Sequence, residues 1–210
     1  MKQDNSLSLY KKYHIDRNFE RLDIFTILAE KFKIKSALYA GSFVHITPSF
    51  AIPKVVYVDN YKKTKEFFNN PLVYEFISKK KQYKEDSKIS FHLKDYQKDI
   101  GEPRESFDLL ISQWAGFISL YCKKYLKVNG LLVANNSHGD ASMAFIDNDY
   151  RFVGVFNKRS GSKYTFSDKN LDTYFILKKP REITKEYLLK KQKGIGYKKS
   201  ASAYLFKRIK

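Results

Sequence analysis

The sequence predicts an α/β protein: a doubly wound, mostly parallel seven-stranded sheet with helices on both faces and an antiparallel last strand. Three observations carry that expectation. Short apolar, β-branched runs alternate with stretches whose apolar residues recur every third or fourth position, the patterns of buried strands and of helices packed on one face. Residues 36–59 read as a strand, a turn opening on Gly41, a short crossover and a second strand closed by Asp59, the order in which such sheets begin. The final two strands follow each other with no helix between them.

Taken in order, residues 1–14 are polar and read as a frayed lead. Phe19, Leu22, Phe25, Leu28 and Phe32 then recur at helical spacing behind Asp16 or Asn18 as cap, predicting a helix over 16–33 that packs on the sheet. Ala37–Ala40 form the first strand and Gly41-Ser42 its turn. Thr47 before Pro48 is a cap followed by an N1 proline, so a short helix covers 48–52 until Pro53 ends it. Val55–Val58 form the second strand. Helices over 61–68 and 71–83 are split by Asn69-Asn70-Pro71, and strand three centres on Ile89–Phe91. Phe107–Ser112 form strand four, with Gln113–Gly116 as its exit. Phe117, Leu120, Tyr121 and Leu126 give the inward stripe of a helix that stops at Asn129-Gly130, and Leu131–Ala134 form strand five. A polar loop, 135–140, leads into a brief helix from Ala141. Strand six lies around 152–156, a polar loop covers 158–162, and strand seven lies around 174–177. A helix over 184–192 follows, and 200–209 can return as a strand.

One domain over 1–177, with a basic extension over 178–210, is the expected organisation. The net charge is +18, but 33 of the 40 cationic residues are lysine, a compositional bias that weakens the total as a sign of function. Distribution says more: the extension holds twelve basic residues against two acids, Glu182 and Glu186, with tyrosines 187, 197 and 204 and Phe206 interleaved. That pattern suits phosphate neutralisation and base stacking, so nucleic acid is the expected partner, against a plain solvated lysine face. The longest apolar runs fall short of the roughly 18 residues that cross a bilayer, and the first residues carry no apolar signal segment, so no membrane association and a cytoplasmic location are expected. One cysteine, Cys122, and histidines 14, 45, 92 and 138 without ligand spacing leave no metal site to expect. Oligomeric state is not legible.

The element order and several segments resemble the class I S-adenosylmethionine-dependent methyltransferases, a Rossmann-like family. ALYAGSF followed by VVYVD looks like its glycine loop and second-strand acid. LKDY follows strand three, FDLLIS with QWAG follows the pattern of strand four and its exit, and YLKVNGLLVANN looks like its entry to strand five. The resemblance covers roughly residues 16–178 and implies S-adenosylmethionine as cofactor. The chain departs from the family at the loop: Tyr39 stands at or beside the place of an acid, and Phe43 and His45 stand where later glycines would be, which narrows the site. The Asn/Asp-Pro-Pro-aromatic signature of amino-methylating enzymes is replaced by SQWAG.

The residues expected to bind the cofactor are Tyr39, Gly41, Ser42, His45, Asp59, Asp95, Tyr96, Ser112, Gln113 and Trp114. Asp59 suits a pair of ribose hydroxyls, in an adenosyl or a nicotinamide cofactor alike, or else opens the next helix as a solvated acid. The pyrophosphate of a dinucleotide needs glycines this chain lacks, which favours the adenosyl reading. Gly41 and Ser42 suit the ligand's amino-acid end, Asp95 an adenine amino group, Tyr96 a stacking contact and Trp114 a cation–π face. His138 and Asp140 are the expected catalytic pair, a histidine near the ordinary pKa oriented by a carboxylate; the competing reading makes Asp140 a helix cap. Cys122, inside a helix, is not expected to act as a nucleophile. The expected activity is methyl transfer to an unidentified acceptor, RNA or DNA foremost. The other reading is a non-catalytic nucleic-acid-binding or partner-binding module on the same fold.

Overall fold

A computed structural model describes residues 7–161 and 163–210. Its strands are Ser36–Ala40 (β1), Lys54–Asp59 (β2), Lys88–Leu93 (β3), Phe107–Ser112 (β4), Leu126–Ala134 (β5), Tyr150–Lys158 (β6), Tyr164–Ser167 (β7) and Ala203–Arg208 (β8). They form one sheet in the order β3-β2-β1-β4-β5-β8-β6-β7. β1 to β5 pair in parallel, while β8 runs antiparallel between β5 and β6, and β7 adds an outer hairpin strand to β6.

The doubly wound, mostly parallel sheet matches the expectation, with two corrections. The sheet has eight strands among the described residues, and the last antiparallel strand in the sequence is 203–208 rather than 174–177. Residues 171–173 form a 3-10 turn instead, and Leu177 makes only an isolated bridge to Tyr197. The end of the basic segment is therefore an interior strand: Ala203, Tyr204, Leu205 and Phe206 are buried, each strand face against one of the two core layers. The alternation Tyr204/Phe206 against Ala203/Leu205 explains this, since a strand flanked on both faces must be apolar on both.

The helices are Ser8–Tyr10 (α1), Leu22–Phe32 (α2), Pro48–Ala51 (α3), Lys62–Phe68 (α4), Pro71–Lys80 (α5), Ile118–Tyr121 (α6), Asp140–Ile146 (α7) and Lys185–Lys191 (α8). One face of the sheet packs Ala37, Tyr39, Val55, Tyr57, Leu109 and Ile111 against α2, α3 and α5. The opposite face packs Leu38, Val56, Leu110 and Leu132 against Ile118, Cys122, Ala141 and Ala144. A smaller apolar cluster of Phe117, Met143 and Leu188 seats α8.

Three local expectations change. Residues 1–6 of the expected frayed lead, and Ser162 of the 158–162 loop, lie outside the described residues. From Ser8 the chain is helical and continues as a π-wound turn over Lys11–Ile15, with Tyr10 fully buried. The helix expected over 16–33 begins at Leu22, because Asn18 and Arg21 take left-handed φ of 51° and 58° that break helical geometry. The long helix expected before Asn129-Gly130 is cut to α6 and a 3-10 turn, and β5 begins at Leu126. Asn129-Gly130 is a turn signal correctly placed but housed in an irregularity between the Phe107–Leu126 and Leu109–Leu131 pairings. Thr47 precedes α3 as expected, yet its side chain caps nothing; its hydroxyl hydrogen-bonds Tyr10 Oη at 2.8 Å.

Candidate functional site

β1 leads outward to β2 and β3, while β4 leads to β5 on the other side, so the connections part above the carboxyl ends of β1 and β4. At such a switch point a crevice opens for a ligand. A cavity of about 500 Å³ lies there. The exit of β1 contributes Tyr39, Gly41, Ser42, Phe43 and His45; that of β4 contributes Gln113 and Trp114. Tyr13, His14, Arg17 and Phe19 come from the N-terminal segment.

The turn after β1 needs glycine on two counts. Gly41 has φ +65°, and a Cβ there would stand 2.2 Å from Ala115 Cβ, so only glycine lets the exits of β1 and β4 pass. Its N–H donates to Val58 O at 2.8 Å. Phe43 accepts a left-handed φ of 47° without that freedom. Asp59 compensates: Oδ2 accepts the Phe43 N–H at 2.8 Å and Oδ1 the Tyr61 N–H at 2.8 Å. The Phe43 ring meets Tyr13 edge-on at 5.3 Å and Tyr61 at 6.0 Å. Asp59 thus pins the loop and stands beside the cavity rather than on its wall. A carboxylate has about four acceptor positions, so it keeps capacity for a further donor.

Tyr39 and His45 form a buried relay. Tyr39 Oη lies 2.9 Å from His45 Nδ1, and His45 Nε2 lies 2.9 Å from the Glu20 carbonyl oxygen. A carbonyl only accepts, so Nε2 carries the proton and Nδ1 accepts from the Tyr39 hydroxyl. Burial holds His45 well below the ordinary histidine pKa and pushes Tyr39 up, so both are neutral. His14 stacks on His45 at 4.3 Å with the rings 15° apart. It is 8% exposed with both ring nitrogens buried, and an interaction with the Phe19 backbone offsets part of the cost of that burial. Burial lowers its pKa to about 4, so it too is neutral at pH 7.

Arg21 orders the far wall. Its Nη1 donates to Gln113 Oε1 at 2.7 Å, and the guanidinium lies 4.1 Å from the Trp114 ring and 4.6 Å from that of Phe19. It is 6% exposed, and among the described residues its Nε has no hydrogen-bond partner and no carboxylate pairs with it. Trp114, at φ 54° and 40% exposed, is turned outward in this stack.

The expected residues divide accordingly. Tyr39, Gly41, Ser42, His45, Gln113 and Trp114 meet at the cavity; Asp59, Asp95, Tyr96, Ser112, His138 and Asp140 are not on its wall. Asp95 accepts the Gln97 N–H, while Tyr96 is half-buried with its hydroxyl against Gly116. His138 and Asp140 do not pair. His138 Nδ1 lies 3.0 Å from Ser137 Oγ, whereas Asp140 is 1% exposed and accepts from Ser112 Oγ, Ser119 Oγ and Ser119 N. That knot ties the end of β4 to the starts of α6 and α7; burial pushes the Asp140 carboxyl up to about 6. Burial likewise pushes the Cys122 thiol up to about 12, as suits a packed rather than a nucleophilic cysteine.

Sequence reading missed Tyr13, His14, Arg17, Phe19 and Arg21. The legible signal was arginine itself: in a chain that uses lysine for 33 of 40 cationic positions, arginine stands at 17 and 21.

A second concavity, about 360 Å³, is lined by Lys178, Lys179, Arg181, Lys191 and Lys193 around Tyr187, with no acid among its lining residues. This segment packs on the loop after β5: Gly194 N donates to Ser137 O at 3.0 Å and Asn136 Nδ2 to Ile195 O at 3.0 Å. The basic concavity therefore sits beside the carboxyl end of β5.

No protein-family model and no curated protein sequence matches the chain. Solved structures do. An O-methyltransferase from Bacillus cereus in complex with S-adenosylhomocysteine superposes with a TM-score of 0.52 at 11% identity, over 79% of this chain and 90% of that one. An O-methyltransferase-like protein from Klebsiella pneumoniae gives 0.50 at 10% identity, over 77% and 92%. Together with the strand order and the switch-point cavity, these superpositions show that the chain has the Rossmann-like fold of the class I S-adenosylmethionine-dependent methyltransferases.

Proposed function

We propose that the protein is an S-adenosylmethionine-dependent methyltransferase. The observation that carries this reading is the coincidence of the cavity with the switch point between β1 and β4. When bound, the cofactor supplies an electrophilic methyl group on a positively charged sulfur. Of the residues present, Asp59 keeps acceptor capacity toward a ribose, whereas the space beside Gly41 is filled by Ala115 and the Trp114 ring is stacked by Arg21, so the fit rests on the place and volume of the cavity. The chain's contribution is positioning and exclusion of water by Tyr13, Phe19, Phe43 and Trp114, which suffices for much of the barrier to a displacement. The neutral Tyr39–His45 relay has no free site to take a proton. In isothermal calorimetry, S-adenosylhomocysteine is expected to bind at one site per chain. No binding at millimolar concentration refutes the reading.

The acceptor we favour is nucleic acid, supported by the basic concavity beside the β5 loop. Transfer of labelled methyl to RNA or DNA, lost at high salt, is the expected result; labelling of small molecules alone contradicts it. A second reading, a non-catalytic binding module, is favoured by Asp59, which already holds the Phe43 and Tyr61 N–H groups. It predicts nucleic-acid binding with no response to the cofactor.

A further inference from the structure

We infer that the basic concavity is a site for single-stranded nucleic acid, with Tyr187 as the surface on which an unpaired base stacks. This deepens the nucleic-acid reading and rests on it. The cations of the lining, Lys178, Lys179, Arg181, Lys191 and Lys193, flank α8 within one excursion of the chain, and Glu182 and Glu186 of the same segment are not among the lining residues. Among the described residues none of these cations is in an ion pair, whereas Lys123, Lys127 and Arg208 each hold a carboxylate. Cations gathered without counter-charge repel one another, so the arrangement suits an outside polyanion. The site stands beside the carboxyl end of β5, the neighbour of β4, and so at the same end of the sheet as the switch-point cavity.

Shape selects among polyanions. A duplex carries its phosphates on a convex surface, keeps its base faces inside the stack and is read by an element that protrudes into a groove. Here the protein surface recedes and the aromatic ring lies within the recess. About 360 Å³ is the lower range of ligand pockets and takes a nucleotide, not the width of a helix, so only an unstacked base enters. Tyr187 is set for that contact. Arg181 Nη1 donates to its hydroxyl at 2.6 Å, which anchors the ring and leaves further guanidinium N–H groups for a phosphate. Thr184 Oγ1 accepts the Tyr187 N–H at 3.1 Å as the cap of α8, which fixes the backbone. The path continues past the recess. Lys178 N donates to Gly196 O at 3.0 Å, Leu177 bridges Tyr197, and Lys198 N donates to Ile176 O at 2.8 Å, so two segments run antiparallel. Side chains alternate across such a pair: Tyr197 is buried, while Ile176, Lys178 and Lys198 are exposed. An exposed aliphatic side chain beside lysines offers the next nucleotide the same combination of apolar contact and charge.

The test measures binding of labelled oligouridylate, oligothymidylate and the oligouridylate–oligoadenylate duplex to the full chain by fluorescence anisotropy across a salt series, without cofactor. A single strand is expected to bind roughly tenfold or more tighter than the duplex at equal salt, and the tighter of the two single strands names RNA or DNA as the source. Tyr187→Leu is expected to lose roughly tenfold in single-strand affinity with its salt slope intact, and Tyr187→Phe to keep most of it, since one loses the stacking ring, the other retains it and neither alters a charge. Equal affinity for duplex and single strand, or a Tyr187→Leu chain that binds as tightly as the native one, overturns the inference. Tyr187 also packs on the cluster that seats α8, so if Tyr187→Leu melts well below the native chain, photocross-linking of 4-thiouridine-substituted oligouridylate to the native chain decides instead. Adducts at Tyr187 or its lining neighbours uphold the site; adducts confined elsewhere overturn it. Labelled-methyl transfer is scored separately. Preferential single-strand binding without transfer upholds this inference and fails the acceptor reading, whereas transfer to a duplex bound as tightly as a single strand does the reverse. A chain that binds none of the three overturns both.

Discussion

Asp140 offers the sharpest separation of structure from chemistry. Asp140→Ala removes the acceptor shared by the hydroxyls of Ser112 and Ser119 and the Ser119 N–H, in a site where all three residues are at most 1% exposed. Each buried donor left without a partner costs about 1–3 kcal/mol, and the serine hydroxyls recover part of that by rotating, so a loss of about 3–5 kcal/mol is expected. Against the ~5–15 kcal/mol of an ordinary domain this is severe. At about 2–4 °C per kcal/mol for a chain of this size, melting falls by about 6–20 °C. The carboxyl's pKa is raised by burial to about 6, so its contribution to stability is fully present below the unfolded value near 4 and is lost as pH rises through 6. The span amounts to about 3 kcal/mol. Asp140→Asn carries no such loss, so its deficit relative to the native chain should narrow from pH 4 to pH 7. Urea titrations at the two pH values measure this. An Asp140→Ala chain as stable as the native one, with methyl transfer alone abolished, refutes the structural assignment and restores the catalytic one.

Other consequences follow from the same geometry. His14, held at about 4 by burial, contributes stability that is present above pH 6.5 and lost as pH falls through 4, about 3 kcal/mol in all; His14→Phe should be flatter with acid in a denaturation series, and an identical slope contradicts the burial argument. Gly41→Ala must pay about 1–2 kcal/mol for left-handed backbone and a further ~1–3 kcal/mol for crowding Ala115, and should lower melting temperature and cofactor affinity together. Deleting residues 203–210 removes β8 from between β5 and β6 and should yield no cooperative unfolding transition; a folded truncation would contradict the sheet order. Neutralising Arg181, Lys191 and Lys193 to glutamine should flatten the salt dependence of RNA binding, and an unchanged slope removes the basic concavity from the account.

The parallel half of the sheet was legible because its signals are local. Val55–Val58 ending in Asp59 and Phe107–Ser112 are β-branched or apolar runs with polar punctuation, and no tertiary contact is needed to read them. The antiparallel half depended on partner choice. Both 174–177 and 203–208 have strand-like composition, and what separates them is which one faces apolar layers on both sides, a property of the assembled sheet. The site split the same way. Gly41, Gln113 and Trp114 follow from standing at strand ends. His14 and Arg17 reach the cavity wall, with Arg21 stacked behind Trp114, because left-handed turns at Asn18 and Arg21 interrupt the helical pattern that sequence spacing suggested. His138 and Asp140 were drawn together by proximity in sequence, yet Asp140 is turned inward by Ser112 and Ser119, residues 28 and 21 positions away.

The central claim is that the space between Gly41 and Trp114 is the cofactor's. A crystal structure of the chain with S-adenosylhomocysteine tests it most directly. The account predicts ligand density within the cavity lined by Ser42, Phe43 and Trp114. A ligand bound elsewhere on the chain, with the switch-point cavity holding only water, would contradict it.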